Sequence, residues 1–385
     1  MQTPVALALA WAAAAALGAD APETVRVFDG GAQMSAATWE CTSGHQIRKQ
    51  RITLESSARK YTLLISGCQD PSHEGKHPVS EGNFGMPDPV SANWYWGGFL
   101  RVFVNDVDAT ICDVKDLRVI ESGSRGAFQT IWSHPDAEVG LRMLMLPGGN
   151  HLLSQLVWKP TGAAPITSIR VELTCYPSFF TAARNRVGER HCGTPRIDQT
   201  EPTTLELQPA EDTFLYYYDA VFDMAKGEGD GPCAALVAPE GVQGGQVTIG
   251  GYAVQTRLDL KPEAGEARLA FYDFSGRTNA QAEDYLRTQA DADLAELQRT
   301  DFRPATARAV DVAALKAEAL QLVADAAEDG QTFQPRVQEL LAALDDLQTK
   351  AQAGDWVAEA DLSTRIADSA DLFWKLRAFA ALNRP

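Results

Sequence analysis

"SIRVELT", residues 168–174, alternates strictly: Ile169, Val171 and Leu173 fall on one face, Arg170, Glu172 and Thr174 on the other. A period of two with one polar face marks a strand in a half-solvated antiparallel sheet. "YAVQTRLDL" (252–260) repeats the pattern, setting Tyr252, Val254, Thr256, Leu258 and Leu260 opposite Ala253, Gln255, Arg257 and Asp259. "VGLRMLM" and "ARLAFYDF" are two further instances. Turn signals separate the runs: "PGGN" (147–150), "KPTGAAP" (159–165), "VQGG" (242–245) and "KPEAGE" (261–266). In these, Gly and Asn accept positive φ and Pro sets the turn entry. Many short strands with no helices between them predict a mainly β chain, a large antiparallel β-sandwich over residues 24–277. Roughly 250 residues exceed one seven-stranded sandwich, so the region is one large sandwich of the supersandwich kind or two in tandem.

After Phe274 the period changes. "NAQAEDYLRTQADADLAELQRTDF" (279–302) places Tyr285, Leu286, Leu294 and Leu297 at helical spacing, and Arg303-Pro304 ends it. Three more helical segments follow, at 311–328, 332–353 and 355–382, with Asp311 and Asp355 as N-caps. "RVQELLAALDDLQTK" puts Val337, Leu340, Leu341, Leu344 and Leu347 on one stripe. Residues 279–385 are therefore expected to form a C-terminal helical region, an antiparallel bundle whose stripe either packs inward or docks a protein partner.

Thirty-four Lys and Arg against 51 Asp and Glu leave a net charge of −17, which excludes nucleic acid and anionic membranes as partners. The start, "MQTPVALALAWAAAAALGADAPE", has an apolar run from Val5 to Leu17 closed by small residues. The run is too short to span a bilayer and reads as a signal peptide over residues 1–19, although no Lys or Arg precedes it. A secreted or periplasmic location follows. Six cysteines stand at 41, 68, 112, 175, 192 and 233, none in a C-x-x-C pair. In an exported chain at least one disulfide is expected, and Cys175 with Cys192, flanking one short Arg-rich loop, is the favoured pair.

Four clusters carry candidate chemistry. "NWYW" (93–96) joins Asn93 to three adjacent aromatics and is followed by Gly97-Gly98. Aromatic faces beside a planar amide suit a sugar ring, and in a strand Trp94 and Trp96 would share an exposed face with Tyr95 buried. The other reading of the stretch is a core cluster sealing one end of the sandwich. "FFTAARNRVGERHC" (179–192) is a basic island in an acidic chain, and its Arg184, Arg186 and His191 suit a carboxylated or sulfated sugar. His134, with Asp136 in the turn "SHPD", and Tyr218, in "FLYYYDAVFDMAKGEGDG", are the catalytic candidates for a lyase or hydrolase. Glu228 and Asp230 lie in a Gly-rich loop without the ligand spacing of an EF-hand, so neither a metal nor a cofactor is expected. G-x-S-x-G, H-E-x-x-H, the P-loop and the dinucleotide fingerprint are all missing from the sequence.

"EVGLRMLMLPGGNHLLSQLVWKPTGAAPITSIRVELTCYPS" (138–178) resembles the strand succession of galactose-mutarotase-like β-sandwiches. In place of that family's usual Asn before the Gly-x-Pro turn stands "WKPTGAAP", and no catalytic residue of the family carries over to a position here. The resemblance implies a large sandwich of the kind attached to carbohydrate-active proteins. The leading expectation is thus a secreted carbohydrate-binding or accessory protein, with acidic polysaccharide as the ligand that the arginine loop would suit. A polysaccharide lyase or glycoside hydrolase is the alternative, and an interaction protein docking through its helices a further one.

Overall fold

The computed structural model describes residues 23–36, 44–68, 84–162, 164–180, 186–200 and 203–383. The expected signal peptide, Cys41 and Arg184 lie outside them. The described chain is mainly β, with a helical C-terminal region. It opens with β1 (Arg26–Ala36), β2 (Gln46–Glu55), β3 (Lys60–Cys68) and β4 (Phe84–Asp88), which form a four-stranded sheet in that order. Next come β5 (Leu100–Val104), β6 (Val107–Asp108), β7 (Asp113–Glu121), β8 (Gly126–Ser133), β9 (Ala137–Met145) and β10 (His151–Pro160). They are followed by β11 (Ile169–Cys175), β12 (Arg190–Gly193), β13 (Asp198–Thr200), β14 (Thr203–Leu207) and β15 (Phe214–Asp219). The last four strands are β16 (Cys233–Val237), β17 (Val242–Ile249), β18 (Val254–Leu260) and β19 (Glu266–Asp273). A nine-stranded sheet runs β13-β12-β15-β16-β19-β10-β9-β8-β7, and a six-stranded sheet runs β14-β17-β18-β11-β5-β6.

The inner faces of all three sheets close over one apolar core. Val171 and Leu173 of β11 and Leu258 of β18 meet Leu141, Leu152, Tyr217, Leu269 and Phe271 of the large sheet, while Ile52, Tyr61 and Phe84 join from the small one. Each is the apolar half of an alternating strand, and each such side chain taken fully from water contributes about 1.5–3 kcal/mol. The Tyr217 hydroxyl meets Thr256 Oγ1 at 2.7 Å, tying the two larger sheets together through the core.

The nine-stranded sheet is buried on its other face too. Leu144, Leu153, Tyr216, Leu236 and Tyr272 point outward and are covered by Ala282, Leu286, Ala290 and Leu297 of α1 (Asn279–Arg299) and by Phe302. A capping box of Thr278 and Gln281 starts α1. The short α2 (Ala305–Ala309) leads to α3 (Val312–Asp325) and α4 (Ala327–Gln352). The expected last segment is divided at Ser369 into α5 (Trp356–Asp368) and α6 (Ala370–Leu382). Asp311 and Asp355 cap α3 and α5 as their positions suggested. The α4 stripe packs inward: Val337 and Leu344 are buried against α3, α5 and α6.

A row of polar residues crosses the outer face of the large sheet. Arg118, Gln129, Arg142, Gln155 and Arg268 stand on β7, β8, β9, β10 and β19 and are cross-strand partners in that order. Arg142, 1% exposed, donates from Nη2 to Glu359 Oε2 of α5 at 2.6 Å and to Gln129 Oε1 at 3.0 Å. Its guanidinium also lies 4.0 Å from the ring centre of Trp356. Arg118 bonds Asp361 at 2.5 Å, and Lys159 donates to the Gly354 carbonyl. Gly140 is obligatory beneath this seam, since a Cβ there would sit 2.9 Å from the Trp356 ring.

The expected Cys175–Cys192 bridge is not made, and both residues are buried free thiols. The chain between them does not close a loop on one sheet but crosses from β11 to β12, so each cysteine points into the core from an opposite sheet. Burial there pushes the Cys192 thiol far above its ordinary pKa, which keeps it protonated and unreactive.

Arg142→Met leaves Glu359 buried without its cation and is expected to cost about 3–5 kcal/mol in urea unfolding. Replacing both partners, Arg142→Met with Glu359→Gln, should recover most of that loss. A single variant as stable as the parent would show that the seam does not depend on this pair.

Candidate functional site

"NWYW" is not a strand. Residues 91–97 form a turn between β4 and β5, and this redistributes the three aromatics. The expected pairing of Trp94 and Trp96 on an exposed face is corrected. Trp94 is 0% exposed, donates from Nε1 to the Tyr272 carbonyl at 2.9 Å, and packs against Phe99, Tyr217 and Phe271 at 5.7, 5.8 and 5.3 Å. Asn93 is also fully buried, its Oδ1 accepting from Ser178 N–H at 2.9 Å, so it braces the backbone and cannot meet a ligand. A turn does not keep a strand's two-residue alternation, so of the three aromatics Trp94 alone enters the core.

Tyr95 and Trp96 are half-buried instead. They belong to a ring cluster at the end of the sandwich where β5 and β18 begin and β11 ends. Tyr95 lies 6.2 Å from Trp96, 5.1 Å from Tyr176 and 6.1 Å from Phe180, and Tyr176 lies 4.9 Å from Tyr252. Tyr252, in the β17–β18 hairpin, is 52% exposed. The two glycines serve the turn. A Cβ on Gly97 would strike the Tyr95 ring at 2.7 Å, and Gly98 holds φ +133°. Gly85 on β4 admits the turn, because a Cβ there would sit 1.7 Å from the Trp96 carbonyl oxygen.

Arg186, from the basic island, comes to the same end. Arg186 is pinned by Glu228, with Nη1 at 2.8 Å from each carboxylate oxygen, and lies 5.0 Å over the Phe222 ring, which in turn packs on Phe179. Glu228 is thus an ion-pair partner, and among the described residues no three His, Cys, Asp or Glu are placed to hold a metal ion. Arg190 is a buried anchor: it pairs with Asp219 at 3.3 Å and donates to the carbonyls of Pro177 and Phe179, which fixes the aromatic segment 176–180.

His191 and Tyr218 are brought together on the outer face of the large sheet. Tyr218 Oη donates to Asp198 at 2.6 Å and lies 3.1 Å from His191 Nδ1, while His191 Nε2 meets Glu189 at 2.8 Å. Burial, then the Asp198 carboxylate, hold the Tyr218 phenol far above its ordinary pKa. Tyr218 therefore keeps its proton at neutral pH and is a donor, not a general base. His134 does not join them. It occupies the β8–β9 turn at the opposite end of the large sheet, buried, with Nδ1 accepting from Asp136 N–H at 3.0 Å. Burial lowers its pKa, and its role is to close the turn. Sequence reading placed Tyr95 on the buried side and missed Tyr176, Phe180 and Tyr252 as members of the cluster, although "CYPSFF" after β11 carries three aromatics in five residues.

No protein-family model matches the chain, and no curated protein matches it. Among solved structures, the GH36 alpha-galactosidase AgaB from Geobacillus stearothermophilus aligns over 62% of this chain and 40% of its own, at 9% identity and a TM-score of 0.33. A TPR-domain containing protein from Parabacteroides distasonis aligns over 65% of this chain and 54% of its own, at 10% identity and a TM-score of 0.36. The galactosidase domain of the alpha-galactosidase-sucrose kinase AgaSK gives 62%, 41%, 9% and 0.33. The aligned parts span only about half or less of those chains, and likenesses of this size carry no argument about what this chain does.

Beneath the cluster, Asp273 is fully buried beside Asn93, and burial raises its carboxyl from 3.8 to about 6. A raised carboxyl pKa favours the protonated form in the fold, so Asp273 carries no penalty below about pH 4 and a growing one as pH rises through 6. Asp273→Asn is expected to gain about 2–3 kcal/mol relative to the parent between pH 4 and pH 7. Parallel unfolding curves at the two pH values would contradict this.

Proposed function

We propose that this chain binds carbohydrate on the aromatic end of its sandwich. The observation that carries the reading is the cluster of Trp96, Tyr95 and Tyr252, partly exposed rings held on a rigid frame where three strand ends of one sheet meet. Rigid aromatic rings give a sugar's C–H face a contact surface at little cost in conformational entropy, and neighbouring planar polar groups orient its hydroxyls. Arg186, ion-paired with Glu228, lies over Phe222, which packs on Phe179, next in sequence to Phe180 of the cluster. Because Glu228 already neutralises Arg186, this end favours a neutral sugar over an acidic one. The strand patterning of 138–178, similar to that of galactose-mutarotase-like sandwiches, agrees with a carbohydrate-related role. The reading includes export through residues 1–19, which N-terminal sequencing of secreted material tests. Tyr218 as a proton-holding donor, with His134 at the far end of the sheet, does not favour a lyase.

A glycan array followed by titration of the best ligand tests the proposal. Trp96→Ala and Tyr252→Ala should each weaken binding by on the order of 1–3 kcal/mol with the melting temperature nearly unchanged. Trp94→Ala should instead cost roughly 3–5 kcal/mol of stability. Failure of both surface variants to alter affinity would refute the aromatic end as the binding site.

A further inference from the structure

The polar row on the large sheet is not covered along its whole length. Between the end of α1 and the start of α5 it opens into a cleft of about 450 Å³, in the size range of small-molecule sites. Arg142, Gln155 and Arg268, on three adjacent strands, form its floor, and Arg299, Asp301 and Arg303 are on its rim. Four guanidiniums thus face one lining carboxylate, in a chain whose net charge is −17.

Pairing decides how much of that charge is available. Arg142 is matched by Glu359 at 2.6 Å, Arg268 by Glu266 at 3.3 Å and Arg303 by Asp301 at 2.5 Å. Arg268 is further committed to the carbonyls of Leu297, Gln298 and Thr300 that end α1. The Arg299 side chain, in the last turn of α1, makes no hydrogen bond or close ion pair among the described residues, and the Glu296 carboxylate, one turn back, lies within its field. The cleft therefore holds one guanidinium, that of Arg299, whose donors are uncommitted, above a floor of fixed amide and guanidinium groups. Planar forks of this kind match a carboxylate in two parallel bonds, and Gln155, whose Nε2 already donates to Glu266 Oε2 at 2.7 Å, adds its amide oxygen as an acceptor for a hydroxyl.

We infer that this cleft, between the sandwich and the helical region, binds a small hydroxylated carboxylate of the uronic-acid type, with Arg299 holding the carboxylate. The site is separate from the aromatic end and does not depend on it. Arg299 is exposed at a helix end and its side chain holds no hydrogen-bonded partner, so its substitution leaves the fold intact.

Isothermal titration of the full chain with sodium D-glucuronate, and with D-glucose as the uncharged control, tests the inference. Saturable glucuronate binding that weakens with added salt and is not displaced by glucose is expected. Arg299→Gln should weaken it on the order of tenfold or more, the worth of one charge-assisted bond, and Arg299→Lys should lose less. Trp96→Ala should leave it unchanged. Absence of saturable binding, equal competition by glucose, or an unaltered affinity in Arg299→Gln would each overturn the inference. Binding abolished by Trp96→Ala would do so as well, by placing the ligand on the aromatic end.

Discussion

A sheet buried on both faces cannot carry an unpaired charge, and the nine-stranded sheet carries a row of arginines that must each be paired. Arg118, Arg142 and Arg268 stand on the face that α1 and α5 cover, with Gln129 and Gln155 between them. A guanidinium under a helix is stable only with its hydrogen bonds filled. Glu359 and Asp361 on α5, and the terminal carbonyls of α1, fill them. The helical region is consequently located by the geometry of its polar partners as much as by its apolar stripe. Apolar packing of Leu286 and Leu297 supplies the larger share of the adhesion, but it tolerates sliding. The forked bonds of Arg142 and Arg118 do not.

That division of labour explains why the two regions of interest differ in character. At the end of the sandwich the chain has turned aside from the sheet, and partly exposed rings gather around the buried Tyr176. Their frame is rigid because Arg190 and Asn93, both buried, fasten the backbone of 176–180 from below. On the outer face the opposite holds. Charged groups that would otherwise be solvated are enclosed by helices, and the small portion left uncovered becomes a cleft rich in fixed donors.

Strand periodicity, the change of period after Phe274 and the caps at Asp311 and Asp355 were legible in the sequence because each depends on neighbours a few residues away. Arg142 was legible only as a polar position on an alternating strand. Nothing local says that a helix more than two hundred residues later supplies its carboxylate. The "NWYW" stretch misled for a related reason. Its composition was read with a strand's two-residue period, but Gly85, Gly97 and Gly98 permit a turn that sends Trp94 alone into the core.

By itself, then, the sequence determined a mainly β chain with a helical C-terminal region, since hydrophobic periodicity and turn chemistry are local properties. Tertiary structure decided which side chains face one another. It separated Cys175 and Cys192 onto opposing sheets, brought His191 to Tyr218 while leaving His134 at the far end, and gathered Tyr95, Tyr176, Phe180 and Tyr252 from three segments. These pairings follow from strand order and register, which are set by the burial of whole faces and not by any residue's immediate neighbours.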